Sequence, residues 1–267
     1  MLDETALGPA RSIRDEAGGC EVAILPWGAT EPHNLHLPFG TDTFQARAVA
    51  AEACRRAVER GARAMVLPAI PFGANAQQLS TPLTINLNPS TQARVLTDIV
   101  ESLDHHGVGK LLILNGHGGN AFKQMVRELQ PRTKVFMCCT NWWTVHDPAD
   151  YFDEPGDHAG ELETSVMLHI RPDLVLPLDQ AGDGGERRFL LEGLRDGTAW
   201  APRDWAKVTA DTGVGDPRRA TTEKGARFFG DVCETLAEFV CELGEADVAN
   251  LYESADLERP RQEHGPR

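Results

Sequence analysis

The chain contains no Cys-x-x-Cys pair, no apolar run long enough to cross a bilayer, and too little positive charge for a nucleic-acid surface. The six cysteines are Cys20, Cys54, Cys138, Cys139, Cys233 and Cys241. Cys54 and Cys233 fall in apparent helices and Cys138-Cys139 in an apparent strand, so reduced core thiols are expected, not a thiolate metal knot. Lys and Arg number 26 against 40 Asp and Glu, for a net charge of −14. The basic pairs Arg55-Arg56, Arg187-Arg188 and Arg218-Arg219 are too short to track a phosphate backbone, which excludes nucleic acid as the expected partner. Leu2 to Arg14 is polar and carries no apolar h-region, so a cytoplasmic location without membrane contact is expected.

Hydrophobic residues make up 41% of the 267, enough for a substantial core in one large domain. Short apolar runs alternate with amphipathic stretches. Val22 to Pro26, Ala64 to Leu67, Leu111 to Leu114 and Lys134 to Cys139 read as strands. The first helix starts near Asp42, with Ala46, Val49, Ala50, Ala53 and Ala57 on one face and Gly61 as its stop. Asn88-Pro89 opens a second, with Leu96, Ile99 and Leu103 inward and Gly107 beyond. Phe122, Met125, Val126 and Leu129 mark a third, and a fourth begins near Gly160. A last one carries Val232, Leu236, Phe239, Val240 and Leu243. This alternation predicts a single α/β domain over 1–267, with a mainly parallel sheet and helices on both faces. Its core covers about 20–245; residues 172–220 are irregular, and the tail from Glu258 is polar and frayed.

Open parallel sheets bind ligands beyond the carboxyl ends of their strands. Two loops placed there are rich in donors. The segment after the first strand, Glu31 to Asp42, offers Glu31, His33, His36 and Asp42; the segment after the third, Asn115 to Asn120, offers His117 among glycines. Glu31 and His33 are two apart, so on extended chain both point the same way. Oxygen and nitrogen donors in this mixture suit zinc, manganese or iron. The glycine turn could also form an anion nest, but it lacks the GxGxxG or P-loop pattern. His158-Ala-Gly-Glu161-Leu-Glu163 adds a third cluster, in which the two glutamates diverge by about 200° on a helix, so only one can face the metal loops. His36 is expected to support its loop, and His105-His106 to lie exposed at a helix end.

Together these motifs resemble the creatininase (creatinine amidohydrolase) family. The Glu-x-His loop closing on Thr-Asp is matched by Glu31, His33 and Asp42, and the Asn-Gly-His turn by Asn115 to His117. The His-Ala-Gly-Glu…Glu-Thr-Ser helix is matched by His158 to Ser165, and a later stretch by Gly215-Asp-Pro217 and Glu223-Lys-Gly225. The resemblance implies two divalent metal ions per subunit: Glu31 and His117 hold one, His33 the other, and Asp42 bridges them. Creatininase takes a further ligand from a Glu two residues after the turn histidine. That place is Gly119 here, so Glu161 is the expected replacement, with Glu163 in reserve. A hydroxide bridging the metals attacks, and His158 transfers the proton. A homo-oligomer, plausibly a hexamer, is implied as well.

The chain departs from the family on the substrate side. Pro32 and Asn34 flank the first histidine in place of Gln and Gly. The long connection reads Gly73-Ala-Asn75-Ala-Gln77-Gln78…Pro82-Leu83-Thr84 where many relatives have Gly-x-Ser-x-Glu-His…Pro-Gly-Thr. Two neutral amides thus replace a charged and a titratable group. Asn75, Gln77, Gln78, Gly118, Trp142 and Trp143 are the expected substrate contacts. The function expected is metal-dependent opening of a small cyclic substrate at a C–N amide bond. The alternatives are hydrolysis of a cyclic ketone derived from a sugar or inositol, which the amides favour, and a metal- or anion-binding protein without turnover.

Overall fold

The computed structural model describes residues 19–253; the polar Leu2–Arg14 segment and the whole tail from Glu258 onward that figured in the sequence reading lie outside them. Four parallel strands form one sheet in the order β2-β1-β3-β4: β1 (Val22–Trp27), β2 (Ala64–Val66), β3 (Lys110–Asn115) and β4 (Phe136–Asn141). The helices that follow them are α1 (Thr41–Glu59), α2 (Pro89–His105), α3 (Phe122–Leu129) and α4 (Glu161–Ile170). Two one-turn helices, α5 (Glu192–Arg195) and α6 (Trp205–Val208), precede the long α7 (Thr222–Glu245). This is the α/β architecture that the alternation of apolar runs predicts.

Each face of the sheet has its own core, and strand alternation assigns the residues. Val22, Ile24, Leu112 and Leu114 pack with Val49 and Ala53 of α1 and with Val232 and Leu236 of α7. Ala23, Leu25, Trp27, Leu111 and Ile113 pack with Leu96 and Val100 of α2 and with Phe122 and Met125 of α3. Buried on both faces, β1 and β3 read as continuous apolar runs instead of alternating ones. β4 begins two residues later than its apolar pattern suggests. Asp104 Oδ2 at the end of α2 accepts from Thr133 Oγ1 and from the Lys134 backbone N–H, which keeps that stretch in a turn until Phe136 bonds Gly109.

Register places the functional loops. Trp27 lies opposite Asn115, and Asn115 opposite Asn141, so the chains that begin at 28, 116 and 142 leave the sheet at one level. Phe228 of α7, fully buried, packs edgewise against Phe152 and Tyr151 and at 6.0 Å from Trp142, which braces the last of these loops from beneath. Phe228→Ala is expected to cost about 3–5 kcal/mol of stability, read by urea unfolding. A loss under about 1 kcal/mol would show that the loop does not lean on this ring.

Candidate metal centre

Each functional side chain is delivered by a local constraint. In the first loop the Glu31 backbone N–H bonds the Phe39 carbonyl, and Asn34 takes a left-handed φ of 54° that folds the segment back between them. Asp42 is the second residue of α1, where a carboxylate complements the helix dipole. Gly116 lets that helix end meet the second loop: a Cβ there would sit 2.5 Å from the Asp42 carbonyl oxygen. The Asn115 side chain ties this turn, accepting from the His117 N–H and donating to the His117 carbonyl and to Asn141. Gly119, where the family resemblance would look for a glutamate, has no room for a side chain, since a Cβ would lie 2.4 Å from both Ala74 O and His117 Nε2.

The loops bring Glu31, His33, Asp42, His117 and His158 into one buried cluster, none of them more than 8% exposed. Asp42 is at its centre. Its Oδ1 lies 2.8 Å from His33 Nε2, and its Oδ2 lies 3.1 Å from His117 Nδ1 without hydrogen-bond geometry. Glu31 Oε1 closes the His117 side at 2.8 Å, and Glu163 Oε1 faces His33 at 3.9 Å. Two groups able to hold an ion result, Glu31–Asp42–His117 and His33–Asp42–Glu163, which share Asp42. Glu31, His33 and His158 form a third such grouping.

The histidines are oriented by backbone carbonyls. His33 Nδ1 donates to Glu31 O at 3.0 Å, His117 Nε2 to Ala74 O at 3.2 Å, and His158 Nε2 to Pro32 O at 2.8 Å. A carbonyl oxygen only accepts, so these nitrogens carry the protons and the opposite nitrogens turn toward the carboxylates. That is the tautomer a metal-ligating imidazole needs. Three carboxylates packed against these nitrogens are costly to bury unless a cation or added protons neutralise them. The donor set fits divalent metal, and Asp42 Oδ2, buried and without a hydrogen-bond partner among the described residues, is an acceptor that such a cation would satisfy.

Protons serve where no metal does. Burial pulls the His33 imidazole down, but Asp42, then Glu163 and Glu31, outweigh it and carry the pKa to about 10. His117 is raised well above its ordinary value against the same burial, by Glu31 and Asp42. Burial would raise Asp42, yet the two imidazoles hold it well below the carboxylate range. Burial raises Glu163. His36, buried and bonded to Thr164 Oγ1 at 2.8 Å, is lowered to about 4 by burial and by His33, and stands outside the metal groups.

Glu161 is the residue that the structure places differently from expectation. It is fully buried, but one oxygen pairs with Lys224 of α7 and the other accepts the Glu154 N–H at 2.8 Å. Glu163 is the glutamate of this helix that faces the cluster, with its second oxygen held by the Ala159 N–H at 2.5 Å. A cavity of about 630 Å³ opens over the centre. Gln77, Gln78, Gly118 and Trp143 line it; Asn75 and Trp142 do not. The Asn75 amide is turned to Ile85 O and Thr30 O, which pins the 72–86 connection, and Trp142 is fully buried beside Phe228.

The sequence reading missed the wall opposite. Trp200, Arg203 and Trp205 line the cavity from the irregular region, and Trp205 meets His158 edgewise at 5.0 Å. Arg203 stacks over Trp205 at 4.9 Å and bonds Asp157 at 2.5 Å and Glu186 at 3.3 Å. Two of the chain's five tryptophans lie within six aperiodic residues, 200–205, a spacing that marks them in the sequence.

The family model described as creatinine amidohydrolase matches residues 10–240. A mycofactocin precursor peptide peptidase of Mycobacterium ulcerans (strain Agy99) is 33% identical, covering 79% of this chain and 81% of its own. A creatinine amidohydrolase of Pseudomonas putida is 31% identical, covering 88% and 90%. Among solved structures, a creatinine amidohydrolase candidate from Bacteroides fragilis NCTC 9343 is 48% identical with a TM-score of 0.83, covering 88% of this chain and 92% of that one. A manganese form of creatininase is 25% identical with a TM-score of 0.75, covering 91% and 98%.

Since raised imidazoles hold protons that a metal must displace, binding of zinc at neutral pH is expected to release about two protons per subunit, and affinity should fall from pH 8 to pH 6. Titration calorimetry in buffers of different ionisation enthalpy reads this directly; no proton release would contradict the arrangement. In chelator-treated protein, the stabilisation from the raised His33 is fully present below its ordinary 6.5 and is lost as pH rises through about 10.

Proposed function

The chain belongs to the creatininase family, and from that premise we propose that it is a metal-dependent hydrolase that opens a small cyclic substrate at a C–N amide bond, with two divalent ions held by Glu31, His33, Asp42, His117 and Glu163. The observation that carries this reading is the position of Asp42, one oxygen toward His33 and the other toward His117, each side completed by a glutamate. Bound divalent ions supply Lewis acidity toward a carbonyl and acidify water. Zinc, manganese and iron all suit the donors.

The remaining work falls to the chain's own groups. His158 keeps its Nε2 proton on Pro32 O, which leaves Nδ1 as a base 3.9 Å from Glu31 Oε1 at the cavity wall. It takes a proton from the attacking water and returns it to the leaving nitrogen. Trp143, Trp200 and Trp205 offer flat walls for a ring, and Gln77 an amide for its heteroatoms. The neutral amide that Gln77 brings to the cavity also favours a second reading, in which the ring opened is a cyclic ketone. Family membership supports self-association, with a hexamer as the expected size.

Metal analysis should find about two ions per subunit in the wild type, with both weakened in Asp42→Ala. His158→Gln should keep both ions and lose at least about 100-fold in kcat. A panel of cyclic ureides, lactams, short peptides and keto-inositols decides the bond. Turnover of keto-inositols alone would replace the amide reading, and protein that holds no added zinc, manganese or iron would end it.

A further inference from the structure

Gln78 lies in the short turn Ala76–Gln78 and is 1% exposed. One end of its amide is 2.5 Å from Glu31 Oε2. An ionised carboxylate only accepts hydrogen bonds, so the end facing it must be Nε2, and the orientation of the amide is decided by that contact. The other end, Oε1, is then a buried acceptor without a partner. An unsatisfied acceptor is unfavourable, so the arrangement is held by its donor end.

The opposite half of the centre has a counterpart. Glu163 Oε2 accepts the Ala159 backbone N–H at 2.5 Å and leaves Oε1 toward His33. Both outer glutamates are therefore tied at one oxygen and present the other. On the Glu163 side the tie is main chain; on the Glu31 side it is a side chain, which substitution can remove.

We infer that Gln78 is a positioning residue that holds Glu31 as a one-oxygen ligand and sets the affinity of the Glu31–Asp42–His117 half of the centre without setting that of the other half. The inference rests on the two-ion reading above. Among the described residues Glu31 is the one hydrogen-bond partner of the Gln78 amide, so Gln78 acts through it.

The test is stepwise chelator competition with zinc on wild type, Gln78→Met and Gln78→His, beside the melting temperature of each protein in excess chelator. Gln78→Met fills similar space without a donor, so one of the two ions should weaken about 10- to 100-fold while the other stays within about twofold. Gln78→His keeps a ring N–H and should recover most of that loss. The chelated Gln78→Met protein should melt within about 5 °C of wild type, because removal of the orphaned amide oxygen offsets part of the cost of the donor lost from Glu31 Oε2. Equal weakening of both ions, no weakening of either, a histidine variant as weak as the methionine one, or a marked fall in the chelated melting temperature would each overturn the inference. Wild type that binds no second zinc would instead retire the two-ion reading on which it rests.

Discussion

Everything in the site follows from placing three carboxylates, Glu31, Asp42 and Glu163, around two imidazoles inside the protein. Like charges at this spacing repel, and burial removes the water that would screen them. The protein meets that constraint with cation-shaped geometry. Oxygens point inward at nitrogens whose other ends are fixed by backbone carbonyls, and Asp42 faces both ways. Protons satisfy the cluster, which is why His33 and His117 are driven upward against burial. Divalent ions satisfy the same geometry and add chemistry that protons lack.

The scaffold orients the histidines through backbone carbonyls and holds the His117 turn through a chain of side-chain amides from Gln92 through Asn120 and Asn115 to Asn141. The carbonyls that orient the histidines belong to Glu31, Pro32 and Ala74, and the turn that carries His117 hangs from Asn115 at the end of the central strand. Paired register of β1, β3 and β4 sets the common level from which these segments depart.

How much of this was legible depends on the range of the interaction involved. Apolar runs and their alternation are local, so the four strand–helix units could be read directly. Glu31, His33, Asp42 and His117 could be read because their loops leave one sheet edge. The choice between Glu161 and Glu163 could not: helical geometry separates them but does not say which looks inward. The deciding partner is Lys224, 63 positions further along in α7, which captures Glu161 and turns it away. Trp142 and Trp143 pose the same problem. One enters the core beside Phe228 and the other reaches the cavity, and adjacent residues in a short turn carry no periodicity to tell them apart. The wall from Trp200 to Trp205 has no period at all.

The substrate side is assembled differently from the metal side, and that difference bears on specificity. The cavity wall comes from separate segments, at 74, 76–78, 86, 89, 116–121, 143, 155–160 and 200–205, with little shared secondary structure. Arg203 links two of them, bonding Asp157 just before His158 while stacking on Trp205, which itself meets the His158 ring. A change at Arg203 or Trp205 therefore reaches the proposed proton-transfer residue directly, whereas a change at 74–78 reaches Glu31 and His117 through the Gln78 amide and the Ala74 carbonyl. Chemistry common to the family can persist at the cluster while the bond attacked and the ring accepted shift with the wall. Peptide and creatinine hydrolysis, the activities by which two relatives of similar identity are known, are compatible with one metal centre for this reason. On the proposed mechanism, a change at Arg203 or Trp205 alters how a substrate would sit against His158, so selectivity and proton transfer would be adjusted together.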